Sequence, residues 1–207
     1  GLVIRENYAF LHHAHHLAVR RAITEGVVGR PLSFCGDFGI PPRPSDDIRY
    51  RPELGGGALL DLGGYSICAA QDLLGDDLTV RGSVLRRDSS TGVDVGGSAL
   101  LATPSGSTAQ ITFGFEHDYR SAYTVWGTLG RLMLERPYST PDTLSQVLRT
   151  TRQGRTEEIE LPADAPFRNA LSDFARVARI GAVPEQEVRR SIRRAELVDE
   201  ISRTQVY

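Results

Sequence analysis

Gly55-Gly56-Gly57-Ala58-Leu59-Leu60-Asp61-Leu62-Gly63-Gly64-Tyr65 opens a stretch, running to Gly75, in which Leu59, Leu60, Ile67, Ala70, Leu73 and Leu74 recur at three- and four-residue steps. That period predicts a helix with one buried face. The triple glycine removes side chains where the first-turn N–H groups point outward, so a ligand or another backbone can come close. Asp61 and Tyr65 are four apart and share a face of the predicted helix, beside those glycines. An acid and a phenol together can orient a hydroxyl or carbonyl and relay a proton. A tyrosine of ordinary pKa, about 10, would donate to a forming alkoxide. The plain alternative for such a pair is a surface acid beside a packed tyrosine.

Upstream, Leu2 to Ile4 reads as a short strand, and Ala14, Leu17, Ala18, Arg21, Ala22 and Ile23 carry a helical period up to Gly26 and Gly29. Leu32, Phe34, Gly36 and Phe38 alternate through Ile40, which predicts a strand ended by Pro41, Pro42 and Pro44. The polar, proline-rich segment from Pro41 to Glu53 is a long irregular connection of the kind that carries function or forms a lid. Downstream of Gly75 the pattern changes to strands over 78–85, 93–103, 108–115, 122–126, 131–135, 143–150 and 156–161. Pro104-Ser105-Gly106, Thr128-Leu129-Gly130 and Gln153-Gly154 supply the turns between them. Two helical segments follow, over 167–180 and 185–206. Helices segregated from a run of strands predict an α+β fold, a large and mostly antiparallel open sheet with helices on one face, in one domain over residues 1–207.

Composition removes several classes of function. A net charge of -2 gives no basic surface for nucleic acid. No apolar run approaches the roughly 20 residues that span a bilayer, and no basic-then-apolar leader opens the chain, which reads as cytoplasmic. Cys35 and Cys68 are too few for a disulfide framework or a zinc site, and each is expected to be a buried, reduced thiol. All 24 basic residues are arginine, so no lysine is available as Schiff base, general acid or phosphate anchor.

Other polar groups compete for a role. His12 and His16 share a helical face within His12-His13-Ala14-His15-His16, but no carboxylate or cysteine stands at ligand spacing, so they read as helix-surface histidines and no metal is expected. Arg49 and Arg51 in the long loop can pair with a pyrophosphate or with Asp61, or be simply solvated. Asn7, after the first predicted strand, is a further candidate contact. Arg189-Arg190 and Arg193-Arg194 alternate with Glu185, Glu187, Glu196 and Glu200 and read as a solvated, salt-bridged face.

The Gly55 to Tyr65 segment resembles the helix signature of the glucose-fructose oxidoreductase and inositol dehydrogenase (Gfo/Idh/MocA-like) family, a triple glycine followed by Asp-x-Gly-x-His or Tyr. Leu2 to Tyr8, the helix ending Gly26-Val27-Val28-Gly29-Arg30, and Asp46-Asp47-Ile48-Arg49 fit as well, over essentially the whole chain. Within the family the closest likeness is to the NDP-hexose 3-ketoreductases of deoxysugar pathways. The resemblance implies that Tyr65 is the proton donor, that Asp61 orients the substrate, and that Asn7, Arg49, Arg51 and Gly57 border a nucleotide-sugar site. It also implies a homodimer or tetramer formed through the sheet, since alternation in Leu100-Ala102, Ile111-Phe113-Phe115 and Tyr123-Val125 suggests a second apolar face.

Family members carry an N-terminal Rossmann domain and a Glu-Lys-Pro motif, and neither stands in this sequence, where no Gly-x-Gly-x-x-Gly follows a strand. The expectation is therefore a substrate-binding domain of an NAD(P)-dependent sugar oxidoreductase that has no cofactor site of its own and uses NAD(P) only if a Rossmann domain is supplied. Two rivals are a Rossmann-less descendant that catalyses epimerisation, elimination or cyclisation in secondary metabolism, and a non-catalytic assembly module. A start at Gly1 fits a natural short protein and a truncated one equally.

Overall fold

A computed structural model describes residues 2–204. Its centre is one eight-stranded sheet: β1 (Pro31–Gly39), β2 (Thr79–Arg87), β3 (Asp94–Ala102), β4 (Thr108–Gly114), β5 (Arg120–Gly127), β6 (Arg131–Glu135), β7 (Gln146–Arg152) and β8 (Arg155–Leu161). The order across the sheet is β2-β3-β4-β1-β5-β6-β7-β8. Every neighbouring pair is antiparallel except β1 and β4, which run parallel with Phe34 opposite Ala109 and Phe38 opposite Phe113. From Pro31 onward the expected strands are all present within a few residues of their anticipated bounds. Gln153 and Gly154 both take positive φ, the conformation that a two-residue hairpin between β7 and β8 requires.

The helices α1 (Ala14–Thr24), α2 (Gly64–Leu74), α3 (Pro166–Ile180) and α4 (Glu185–Arg203) complete the α+β layer. On the sheet, α1 covers β6 and β7, α2 covers β1 and β4, and α4 covers β2. α1 stops where Gly26 turns left-handed (φ 76°): its N–H donates to the Ile23 carbonyl while that of Val27 reaches Ala22. Those two bonds satisfy carbonyls that the helix end would leave orphaned. The core between helices and sheet holds Phe10, Phe34, Ile67, Leu101, Ile111, Phe113, Tyr123, Val125, Leu132, Leu134 and Leu148, each almost wholly buried.

Several expectations are corrected. Leu2 to Ile4 forms no strand: Leu2 and Ile4 are exposed, and Arg5 ties the segment to Asp173 of α3 and Glu187 of α4 rather than to a ladder partner. The alternating apolar residues Ile111, Phe113, Phe115, Tyr123 and Val125 all belong to the helix-covered face. The opposite face presents Ser98, Gln110, Thr112 and Thr124 and the ion pairs Arg120–Asp37 and Arg149–Glu158, with Val84, Leu100 and Trp126 among them. It is mixed, not the broad apolar surface that the alternation suggested. Cys35 lies on this outer face and is exposed, whereas Cys68 is buried in α2.

Of the clustered histidines only His12 stays partly exposed. His13, His15 and His16 are each 1 % exposed. His13 caps α1 by accepting the His15 N–H at its Nδ1 (3.1 Å), and His15 Nε2 meets the Pro162 carbonyl (2.8 Å). His16 bridges the Tyr123 hydroxyl (2.8 Å) and the Asp72 carboxylate (3.0 Å), so the polar face of α1 is buried because it finds partners on α2 and β5. The α4 arginines divide in the same way. Arg189 pairs with Glu185 at the surface, but Arg190 reaches Asp72 and Asp76, and Arg194 is buried against Glu6.

Candidate active site

The loop after β1 makes two short 3₁₀ turns, Ile48–Tyr50 and Pro52–Leu54, before reaching the three glycines. The Asp47 carboxylate starts the first turn by accepting the Arg49 N–H (2.9 Å). Gly55 takes φ 75° and reverses the chain, which folds back so that the N–H groups of Gly56 and Gly57 donate to the Arg51 and Arg49 carbonyls (2.9 and 3.0 Å). A Cβ on Gly56 would lie 2.6 Å from the Arg49 oxygen, and one on Gly57 (φ 126°) 2.5 Å from Asp94 Oδ1. The close approach that the glycines permit is therefore to the protein's own backbone and to a carboxylate of β3. Asp94 Oδ2 accepts the Leu59 N–H (2.6 Å), so this side chain caps the next element from across the sheet.

That element is a π-turn, Leu59–Gly63, in which the Gly64 N–H reaches five residues back to the Leu59 carbonyl before α2 continues as an ordinary helix. The wider turn changes the angular offset between Asp61 and Tyr65 from that of a plain α-helix. Single π-turns inside helices occur frequently at functional sites. Asp61 accepts a hydrogen bond from Arg49 Nε (2.7 Å), and the same guanidinium bonds Asp47 (3.2 Å). Both members of the Arg49–Asp61 pair are about one third exposed, which leaves the pair accessible.

Tyr65 is half-buried in an aromatic surround. Tyr8 and Phe38 meet its ring edge-on at 5.0 and 5.4 Å, and Phe10 and Tyr138 stand at 6.0 and 5.9 Å. Burial raises the Tyr65 pKa above the ordinary phenol value, the Asp61 charge adds to that rise, and Arg49 opposes it. The phenol is therefore held in its protonated, donating form across neutral pH.

Of the other expected site residues, Gly57 is buried against Asp94, Arg51 is exposed and has no ion-pair partner among the described residues, and Asn7 is exposed just ahead of Tyr8. Asn7 lines a cleft of about 220 Å³ with Arg5, His12, Leu171 and Phe174. A larger one, about 580 Å³, lies between α1, α2 and α4; Tyr8, Cys68, Asp72 and Arg194 line it, but Asp61 and Tyr65 do not. No group of three metal-ligating side chains occurs among the described residues, nor any helix long and apolar enough to cross a membrane. Sequence reasoning missed Tyr8, Phe10, Phe38, Tyr138 and Asp94. Of these, Tyr8 stood inside the quoted Leu2 to Tyr8 segment and Phe38 in the alternation of the first long strand; the others carried no signal.

A single sheet backed by helices agrees with the match of residues 16–133 to the family model of the GFO/IDH/MocA C-terminal domain. The chain belongs to that family. It is 44% identical over 202 residues to the dTDP-3,4-didehydro-2,6-dideoxy-alpha-D-glucose 3-reductase of Streptomyces antibioticus, covering 97% of this chain and 62% of that protein. It also superimposes on KijD10, a 3-ketoreductase from Actinomadura kijaniata in complex with NADP and TDP-benzene, with a TM-score of 0.94 and 43% identity over 99% of this chain and 63% of that one. A more remote relative is the D-xylose 1-dehydrogenase (NADP(+)) 2 of Haloferax volcanii, 31% identical over 206 residues, 97% of this chain and 62% of that protein. The chain thus spans a little over three fifths of the length of these relatives.

Proposed function

We propose that this chain is the sugar-nucleotide-binding part of an NAD(P)-dependent ketoreductase, in which Tyr65 donates a proton to the substrate oxygen and Asp61 orients the sugar. The observation that carries this reading is the Arg49–Asp61 pair beside a phenol kept protonated by burial and by the Asp61 charge. A protonated phenol hydrogen-bonds a carbonyl oxygen and can release its proton as that oxygen gains negative charge. Asp61, fixed by Arg49, accepts from a neighbouring sugar hydroxyl. Arg51, exposed and unpaired among the described residues, supports recognition of a diphosphate, and Asn7 is a further contact.

The head of α2 does not fit the pyrophosphate of a dinucleotide. Gly56 and Gly57 are closed over by the Arg49 and Arg51 carbonyls, which accept their N–H groups, and by Asp94, whose carboxylate already takes the Leu59 N–H that a phosphate would need. In this reading a Rossmann domain outside these residues supplies the dinucleotide. The mixed outer face of the sheet serves, in the same reading, for pairing with a second copy of the chain.

The test is titration of a thymidine-diphosphate sugar into the folded chain, followed by NMR. Saturable binding is expected with a Kd between about 10 μM and a few mM. Asp61→Asn and Arg49→Met should weaken it roughly tenfold, the cost of one charge-assisted contact, while Arg149→Ala on the outer face leaves it unchanged. Absence of saturable binding by the folded chain, or equal binding by all variants, would overturn the assignment.

A further inference from the structure

Tyr8 packs at the margin of the core and takes no part in the proposed chemistry, although it touches the residue at the centre of that chemistry. Its ring stands at 85° to the Tyr65 ring with centroids 5.0 Å apart. The Arg194 guanidinium lies over the Tyr8 ring, 4.7 Å from its centroid, and Arg194 is only 7 % exposed. A buried guanidinium needs a counter-charge. The Glu6 carboxylate, two residues before Tyr8, accepts from Arg194 and so ties the same short segment to α4 twice. α4 is itself fixed by the buried Leu197 and Ile201 and by the ion pairs of Arg190 with Asp72 and Asp76.

The other end of Tyr8 is equally constrained. Gly64, the residue directly before Tyr65, has its open side against the Tyr8 hydroxyl: a Cβ there would lie 2.6 Å from that oxygen, but 3.7 and 4.0 Å from the nearest ring carbons. The backbone does not demand glycine at this position, since Gly64 has helical φ and ψ of -53° and -35°. The absent side chain is therefore explained by the hydroxyl seated there.

We propose that Tyr8 is a positioning residue for Tyr65: held by Arg194 of α4 on one side and seated by its hydroxyl on Gly64 on the other, it fixes the direction in which the Tyr65 phenol points. The catalytic meaning of that direction rests on the reading of Tyr65 as proton donor. The geometry itself does not. An edge-to-face aromatic pair and a cation over a shielded ring each favour one ring orientation over its alternatives. Through this chain of contacts the last helix sets the orientation of a side chain on α2.

The test uses the chain labelled with ¹³C on its tyrosine rings, with the Tyr65 signals assigned by Tyr65→Phe. Tyr8→Leu should shift the Tyr65 signals and speed its ring flips roughly tenfold, the change expected when one edge-to-face contact is lost. Arg194→Met should move the signals in the same direction by less, and so should Tyr8→Phe, which keeps the ring but loses the hydroxyl seated on Gly64. Gly64→Ala, which removes no side chain of the aromatic surround, should reproduce the Tyr8→Leu shift by displacing the Tyr8 hydroxyl. Combining Gly64→Ala with Tyr8→Phe should then restore the parent signals, because the added methyl group fits where the oxygen stood. Unchanged Tyr65 signals in Tyr8→Leu and Gly64→Ala, with the buried Tyr123 and Tyr138 signals intact, would overturn the proposal, as would a double variant no closer to the parent than Gly64→Ala alone. Nucleotide-sugar binding enters none of these readouts, so failure of the substrate assignment would register separately.

Discussion

Replacing Gly57 by alanine should be among the most damaging single-methyl additions to this chain. Two costs coincide there. The residue has φ 126°, where a Cβ meets its own backbone, and holding an L-residue in so sparsely populated a region costs about 1–3 kcal/mol. The new Cβ would also stand 2.5 Å from Asp94 Oδ1, nearer than carbon and oxygen can approach. The carboxylate can swing aside only by surrendering the Leu59 N–H it accepts at 2.6 Å, a charge-assisted bond contributing about 1.5–3 kcal/mol at a helix start with no local cap. Together the loss should reach about 2.5–6 kcal/mol. Gly75→Ala is the matched control, since Gly75 has a similar φ of 112° but nothing within 4 Å of an added Cβ, so only the backbone cost of about 1–3 kcal/mol applies. Urea unfolding of both variants measures the difference. Adding Asp94→Ala to Gly57→Ala should cost less than the sum of the single changes, because the clash and the lost bond are one event. A Gly57→Ala variant no less stable than Gly75→Ala would refute the argument that Asp94 occupies the open side of Gly57.

Burial pushes the Cys68 thiol up to about 12 while Cys35 lies exposed, so a thiol reagent should label one cysteine in the native chain and two in denaturant; two rapid native reactions would contradict the placement of Cys68. Burial, aided by His15, holds His13 down at about 4 against an ordinary 6.5. The unfolded chain then takes up the proton first, so stability present above pH 6.5 should be lost as pH falls towards 4. Urea midpoints at pH 7.5 and 5 should differ by less in His13→Asn, which keeps a capping acceptor, and an equal pH dependence in both chains would remove His13 as the cause. Trp126, 65 % exposed on the outer sheet face of a single chain, should shift its emission to the red on dilution if copies pair through that face; a monomer at every concentration in light scattering would exclude the pairing.

The strands were legible because their residues alternate and their turns are marked by glycine and proline, as between Ala102 and Thr108. The head of α2 was legible through composition but not through geometry. A four-residue spacing implies a plain helical face, and nothing in Leu59 to Gly63 distinguishes a π-turn from an α-turn, because the extra residue is imposed by what the backbone packs on. The glycines were read for the open space they create, whereas what fills that space is contributed by Asp94, 37 positions beyond Gly57 and recognisable only once β3 is in place. The buried histidines illustrate the same limit. Polar residues on a helix suggest solvent, and only the partners on α2 and β5, Asp72 and Tyr123, make an interior position tolerable for His16. Leu2 to Ile4 has strand composition, but a strand exists only where another lies beside it, and this segment meets helices instead.

The position of β1 beside β4 and β5 has a consequence for biosynthesis. Phe34 is paired with Ala109 on one side and Val125 on the other, so both edges of β1 stay open while the whole of α2, β2 and β3 leaves the ribosome. During that interval Phe34 and Phe38, which the finished protein buries, are displayed on a strand with unsatisfied N–H and C=O groups, a template for pairing with other nascent chains. Pairings so distant in sequence form slowly. Termination of synthesis anywhere before Gly127 would leave that strand unclosed, and such products are expected in the insoluble fraction or on a chaperone.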